Sequence, residues 1–332
     1  MENRKSGQTK KIVRVLFAVV GTAALLVAAW KYVSMEVIKA SLEKLSFTYL
    51  VLALLAYTTV TAARASRFII LQPKLSFLDA FSAAAVHNAL LRIMPLRSGE
   101  LAYGIMLKRM GKGGFGQGVA TVLVLRLLDF GMIAGLTAVL AGTYVSSSSY
   151  IGQTLLVAFF VLSAAFLFVA AGPVGRALDV HILSERQDGN PPLWVRGVEA
   201  IRDVLTLSLG RRIILALSTA LLWGVVLFWF FFLMLGVGMD IPLSDAISAG
   251  MLGVVGSMLP LSLVGSFGPL EGGFALGFCA VGFEPGYAAT VSVLISTFTF
   301  IHNWMVAFPG WGWVLYKSSR GESQRPITNQ TV

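Results

Sequence analysis

Apolar positions in this chain gather into long blocks, with the polar ones in short clusters between them. Ile12–Trp30, Phe47–Ala63, Gly118–Gly142, Ile151–Ala171, Ile213–Gly236 and Tyr287–Phe308 carry almost no charge. Runs of this length predict membrane-spanning helices. Two further apolar stretches are interrupted. Ser76–Lys112 breaks at Met94-Pro95-Leu96-Arg97-Ser98-Gly99-Glu100, and Pro242–Phe283 breaks at Pro260, Gly265, Gly268-Pro269 and Glu271. Proline removes a backbone donor and pushes the preceding residue out of helical geometry. Each break reads either as the tip of a re-entrant hairpin or as a proline kink in a crossing helix. The charged residues beside the breaks favour the hairpin, because broken backbone at membrane depth must be buried in protein or line a wet cavity.

The two interrupted stretches resemble each other. Asp79-Ala80-Phe81-Ser82-Ala83 can be laid on Asp245-Ala246-Ile247-Ser248-Ala249, and Met94-Pro95-Leu96 on Leu259-Pro260-Leu261. A glycine-bearing break and a glutamate follow in each, Gly99-Glu100 and Gly268-Pro269-Leu270-Glu271. The next helix then matches Ala120-Thr121-Val122 to Ala289-Thr290-Val291. Three full spans lie between the copies, so two hairpins would dip from opposite sides. That arrangement is an inverted-topology repeat, commonly used for alternating access to a site near the midplane.

Composition narrows the class. Hydrophobic residues make up 56% of 332 positions and charged ones 13%, with a mean hydropathy of +0.79. Soluble domains carry roughly 25% charged residues, so most of this chain belongs in lipid. The fold class expected is an all-α polytopic membrane protein of about six full spans plus two re-entrant or broken helical hairpins. Residues 1–11 form a tail, residues 12–316 a single transmembrane domain (repeat units about 76–142 and 243–309), and residues 317–332 a second tail. A signal peptide competes for Ile12–Trp30, but no clear small-residue cleavage site follows it.

The net charge of +10 does not point to nucleic acid, because the basic residues flank apolar runs as membrane topology requires. They concentrate in the N-terminal cluster, residues 64–112, the hydrophilic segment 172–212 and the second tail, which places both termini in the cytoplasm and the protein in the inner membrane. Leu193–Leu209, within that segment, reads as a helix lying on the membrane surface. The single cysteine, Cys279, excludes a disulfide framework and reads as a core residue. Three scattered histidines give no metal spacing, and Gly111-Lys112-Gly113-Gly114 lacks the ending of a phosphate loop, so no cofactor, metal or ATP is expected. The Phe228–Phe232 aromatic run reads as a lipid-facing or packing surface.

Asn88…Pro95-Leu96-Arg97-Ser98-Gly99-Glu100, Arg126-Leu127-Leu128-Asp129 and Leu259-Pro260…Gly268-Pro269-Leu270-Glu271-Gly272-Gly273 together resemble the flippase-like transmembrane region of the lysylphosphatidylglycerol synthase family. Stand-alone proteins sharing that region, hopanoid-associated and polyprenyl-glycan-associated ones among them, are similar over roughly residues 10–316. The family's synthases add a soluble aminoacyl-transferase domain, absent from the sequence after Tyr316, so the resemblance carries no aminoacyl transfer and no enzyme is expected. The repeat sets Arg126 against the neighbourhood of Ser296, where family members often carry arginine.

Ionisable residues inside a span are costly, at least roughly 2.5–3.5 kcal/mol on insertion scales, and mark function by default. Arg126 and Asp129 share a helix face, either as a structural ion pair or as part of a substrate site. Arg97 in the break suits a phosphate through its planar fork. Glu100 and Glu271 suit charge balance or proton coupling, or else cap backbone amides. The candidate translocation residues are His87, Asn88, Arg92, Pro95, Arg97, Gly99, Glu100, Arg126, Asp129, Pro260, Gly268, Glu271, His302 and Asn303. The function expected is translocation of a lipid with an anionic headgroup, a phospholipid or a polyprenyl-phosphate-linked glycan. The alternative is a non-transporting partner presenting a lipid to a separate lipid-modifying or glycosyl-transfer enzyme.

Overall fold

The computed structural model describes residues 33–144, 157–158, 161–162, 202, 206–258 and 268–323, with the side chains of 95–97, 140–144 and 321–323 outside the description. The predicted span Ile12–Trp30, all of Ile151–Ala171 but residues 157–158 and 161–162, Pro260, the segment 172–201 and the last nine residues therefore lie outside the described residues, as do the side chains of Pro95 and Arg97. Among the described residues there are nine α-helices and no strand.

In chain order the helices are α1 (Met35–Glu43), α2 (Phe47–Leu71), α3 (Phe77–Ile93), α4 (Ala102–Arg109), α5 (Phe115–Tyr144), α6 (Leu209–Gly236), α7 (Leu243–Met258), α8 (Pro269–Ala280) and α9 (Pro285–Ser323). A 3-10 turn, Pro95–Leu101, joins α3 to α4. Within α2, α5, α6 and α9 are stretches long and apolar enough to cross a membrane. They fall on four of the six predicted full spans. The predicted end of one of them moves: Phe47–Ala63 continues without a break to Leu71, so Arg64 and Arg67 sit inside the helix. The sequence Phe68-Ile69-Ile70-Leu71 keeps the helix apolar for another turn after Arg67.

The first sequence break is a break in the α-helix, taken up by the 3-10 turn; at the second, α7 is described to Met258 and α8 from Pro269. The order short helix, break, short helix, long helix occurs twice, as α3-α4-α5 and as α7-α8-α9. Local chemistry fixes the helix starts. The Ser76 hydroxyl accepts from Asp79 N at 3.2 Å at the head of α3. At α8, Pro269 occupies the first turn, where its missing N–H costs nothing, and Gly268 takes φ +113°, a conformation that favours glycine.

The residues fall into two compact units, 1–54 with 91–99 and 227–301, and 55–90 with 100–226 and 302–332. In the first unit, α7 and α8 are antiparallel and their backbones nearly touch. A Cβ added at Gly256 would meet the Pro269 carbonyl oxygen, one at Gly273 the Leu252 carbonyl, and one at Gly277 would come within 2.6 Å of Ala249 Cα. The buried stripe of α8 is Leu270, Gly273, Phe274, Gly277 and Phe278, which is one helical face. Cys279 lies off that stripe and is exposed, so the expectation of a core cysteine is corrected. Phe274 packs edge-on against Phe230 of α6, centroids 4.9 Å apart. The aromatic run of α6 divides by helical rotation, with Trp229 and Phe230 buried and Phe228 half exposed.

In the second unit the chain after the first break doubles back along α3. His87 of α3 lies edge-on to Tyr103 of α4, and Asp79, two turns earlier, pairs with Lys112 beyond α4. Gly104 and Gly118 let α4 approach α5 so closely that a Cβ on Gly118 would stand 2.5 Å from Gly104 Cα. The core here includes Ala65, Phe68, Ala83, Ala84, Tyr103, Met106, Leu107, Val122 and Leu125, with Phe68 and Tyr103 stacked at 4.0 Å. A buried polar chain runs through it. Tyr103 donates to Gln72 at 2.8 Å and Gln72 donates to Thr121 at 2.8 Å.

Candidate functional site: a charged cluster in the second unit

Helical spacing brings three faces to one place in the second unit. On α2, Arg64, Arg67 and Phe68 lie three and four residues apart. On α5, Val122, Leu125, Arg126 and Asp129 repeat at the same intervals, which keeps them on one side of the helix. His87 and Asn88 come from α3. Together these nine residues line a cavity of about 30 Å³.

Inside it the charges are paired in a definite order. Arg67 Nη1 reaches Asp129 Oδ1 at 2.7 Å, and Arg67 Nη2 donates to the Leu125 carbonyl at 3.1 Å. Trp223 of α6 donates to the same Asp129 oxygen at 3.1 Å. Arg126 donates through Nε to Glu100 Oε1 at 2.9 Å, while its Nη1 stands 4.0 Å from Asp129 Oδ2. The other oxygen of Glu100 is 3.6 Å from His87 Nε2. Arg64 donates to Asn88 Oδ1 at 2.5 Å and makes no ion pair within 4 Å among the described residues. Three guanidiniums thus face two carboxylates.

Burial makes this balance matter. The side chains of Arg67 and Asp129 are 2% and 9% exposed, and unpaired charge in such surroundings costs several kcal/mol. Asp129 illustrates how the cost is met, with acceptor sites used by Arg67, Trp223 and, more weakly, Arg126. Among the described residues no three His, Cys, Asp or Glu side chains come together as a metal site.

The sequence-predicted residues separate into two groups. His87, Asn88, Glu100, Arg126 and Asp129 converge on the cluster. Arg92, half-buried on α3, does not line the cavity. His302 and Asn303 are buried on α9, where Asn303 accepts from Tyr57 at 2.7 Å, also away from the cavity lining. Gly99 is buried in the 3-10 turn. Glu271 has a structural occupation in the first unit. One carboxylate oxygen accepts from Gly268 N at 2.7 Å, closing the N-terminus of α8, and the other accepts from the Ser296 hydroxyl of α9. In the alignment of the two interrupted stretches Ser296 falls near Arg126, and each of the two reaches the glutamate of its own stretch, Ser296 with a hydroxyl and Arg126 with a guanidinium.

Arg64, Arg67 and Trp223 are the residues that sequence reasoning missed. Arginines closing an apolar run look like interface anchors. The signal that separates them from anchors is the apolar turn that follows, Phe68-Ile69-Ile70-Leu71, since a helix end at the interface turns polar.

Over residues 12–310 the chain matches the family described as the lysylphosphatidylglycerol synthase TM region. The chain belongs to that family. No curated protein and no solved structure matches it. Family membership makes it a membrane protein concerned with lipids, and the match takes in both interrupted stretches and every residue of the charged cluster.

Proposed function

We propose that this protein is a lipid translocase, without ATPase machinery, that carries an amphiphile with an anionic head across the inner membrane. The observation that supports this reading is the charge count at the cavity of the second unit, three guanidiniums to two carboxylates at a site built from helices of spanning character. The surplus guanidinium, that of the half-buried Arg64, attracts an anion. The family's name ties it to a phospholipid, lysylphosphatidylglycerol, whose phosphate offers such an anion.

In this reading both broken elements are re-entrant. Helices α7 and α8, of 16 and 12 residues, are about 24 Å and 18 Å long at 1.5 Å per residue. Each falls short of a hydrocarbon core about 30 Å thick. Their antiparallel packing returns the chain to the side it came from, and the recurring helix order supports an inverted repeat. Both termini are cytoplasmic in this reading, supported by the distribution of basic residues along the sequence. The protein's part is to hold and release a headgroup; no bond of the lipid is made or broken.

The test is movement of a headgroup-labelled anionic phospholipid between leaflets in proteoliposomes containing the purified protein. Wild type should move it without nucleotide. Arg126→Ala, which leaves Glu100 without its guanidinium, should lower the rate at least tenfold. A wild-type rate from Arg126→Ala overturns the reading.

A further inference from the structure

Around the cavity of the second unit, four polar atoms, Arg64 Nε, Arg67 Nε, Asn88 Nδ2 and Glu100 Oε2, are buried with no hydrogen-bond partner among the described residues. Three of the four are donors. Buried donors left unpaired are rare, and each calls for an explanation. The orientation of Asn88 is not arbitrary, because a guanidinium can only donate and Arg64 therefore requires the amide oxygen. That leaves the Asn88 NH2 as one of the spare donors. The spare donors belong to two neighbouring helices, α2 and α3, and to residues that line the same cavity.

The charges bear on the ligand's valence. Among the described residues Arg67 and Arg126 are matched by Asp129 and Glu100, which leaves one guanidinium, Arg64, without a carboxylate partner. A group with several acceptor oxygens and a single negative charge answers both the donors and the surplus. Carboxylates have the charge but only two oxygens in one plane. A phosphodiester has one charge and two free oxygens, plus two ester oxygens arranged tetrahedrally, which suits donors arriving from two helices. A phosphomonoester or diphosphate, at about two charges or more near neutral pH, would leave net negative charge in the buried site. The cavity, at about 30 Å³, is too small for acyl chains, which would have to stay outside it.

We propose that Arg64, Arg67 and Asn88 form a buried site for a phosphodiester monoanion, with Arg64 supplying the neutralising charge. This deepens the translocase reading by naming the group carried, and rests on that reading only for the claim that the group travels. Occupancy does not require transport, and the two ideas can fail separately.

The experiment is a thermal unfolding series on the full chain in neutral detergent, with two probes. Dimethyl phosphate represents the free anion, and dihexanoyl phosphatidylglycerol represents the same diester as a lipid headgroup. Both should raise the unfolding midpoint, the lipid at lower concentration if a headgroup is the natural occupant. Stronger action by dimethyl phosphate would assign the site to a free anion and still support it. Arg64→Gln should weaken either effect at least tenfold, Arg64→Lys should retain part of it, and Asn88→Leu should reduce it. The Lys variant keeps the test informative should Gln at this position unfold the protein. No shift with either probe, or an equal shift in wild type and a folded Arg64→Gln, overturns the site. If wild type moves lipid but shows no shift, the site alone falls. If it binds both probes and moves nothing, the translocase reading alone falls.

Discussion

Arg67 and Asp129 meet at 2.7 Å across the cavity, 62 positions apart in sequence, and neither side chain is more than 9% exposed. Removing one member of a buried pair leaves the other charged and uncompensated, at about 3–5 kcal/mol, whereas replacing both with apolar residues is often close to neutral. Arg67→Leu should therefore lower the unfolding midpoint in detergent sharply. The double variant Arg67→Leu, Asp129→Leu should recover most of the loss, apart from the Trp223 hydrogen bond to Asp129. Equal destabilisation of the single and double variants would contradict the pairing.

The glycines of α8 give a second, sharper contrast. Gly273 faces the Leu252 carbonyl of α7 without room for a methyl group, while a Cβ on its neighbour Gly272 would meet nothing within 4 Å. Gly273→Ala should cost most of the monodisperse protein recovered by size exclusion. Gly272→Ala should leave the yield unchanged or slightly raised, since alanine favours helix by about 1 kcal/mol over glycine. Similar behaviour of the two variants would mean that α7 and α8 do not pack this way.

Glu271 is predicted to act through structure. Its carboxylate holds Gly268 N and the Ser296 hydroxyl, so Glu271→Ala should destabilise by about 1–3 kcal/mol through unpaired buried donors. Glu271→Gln retains an acceptor for one of them and should cost less. A transport rate lost in Glu271→Gln without any change in unfolding midpoint would assign this residue a role beyond capping.

Glu284 contributes to the acid limb of stability. Glu284 accepts from the N–H groups of Gly286 and Tyr287, both at 2.9 Å, at the head of α9. The Gly286 amide first, and the Tyr287 amide after it, hold the carboxyl below its ordinary value of 4.5. A lowered carboxylate contributes fully above the unfolded value and loses its contribution as pH falls through the folded one. Stability measured from pH 6 downward should decline in wild type through that window, and Glu284→Gln should flatten part of the decline. An unchanged pH profile in Glu284→Gln would show that the cap carries no stability.

Much of this architecture was legible in the residues. Pro95 and Pro260 marked two interrupted elements, and helix order repeats around both breaks. Arg126, Asp129 and Glu100 announced themselves as charges without solvent. Arg64 and Arg67 did not, because the same residue types end ordinary spans, and their burial depends on which helices pack against α2. Long-range pairing is equally silent in sequence. Nothing about Gln72, Tyr103 or Thr121 taken singly says that they join in one hydrogen-bonded chain. The likeness of Arg126 to the Ser296 region was visible, but only the geometry shows both reaching the glutamate of their own break.

The close backbone contact of α7 and α8 also limits how this part of the protein can work. Carbonyl oxygens sit where the glycines lack side chains, at Gly256, Gly273 and Gly277, and a shift of one helix along the other would bring residues with a Cβ to those points. The glycine spacing therefore writes one register into the pair, as a key's notches fix its depth in a lock.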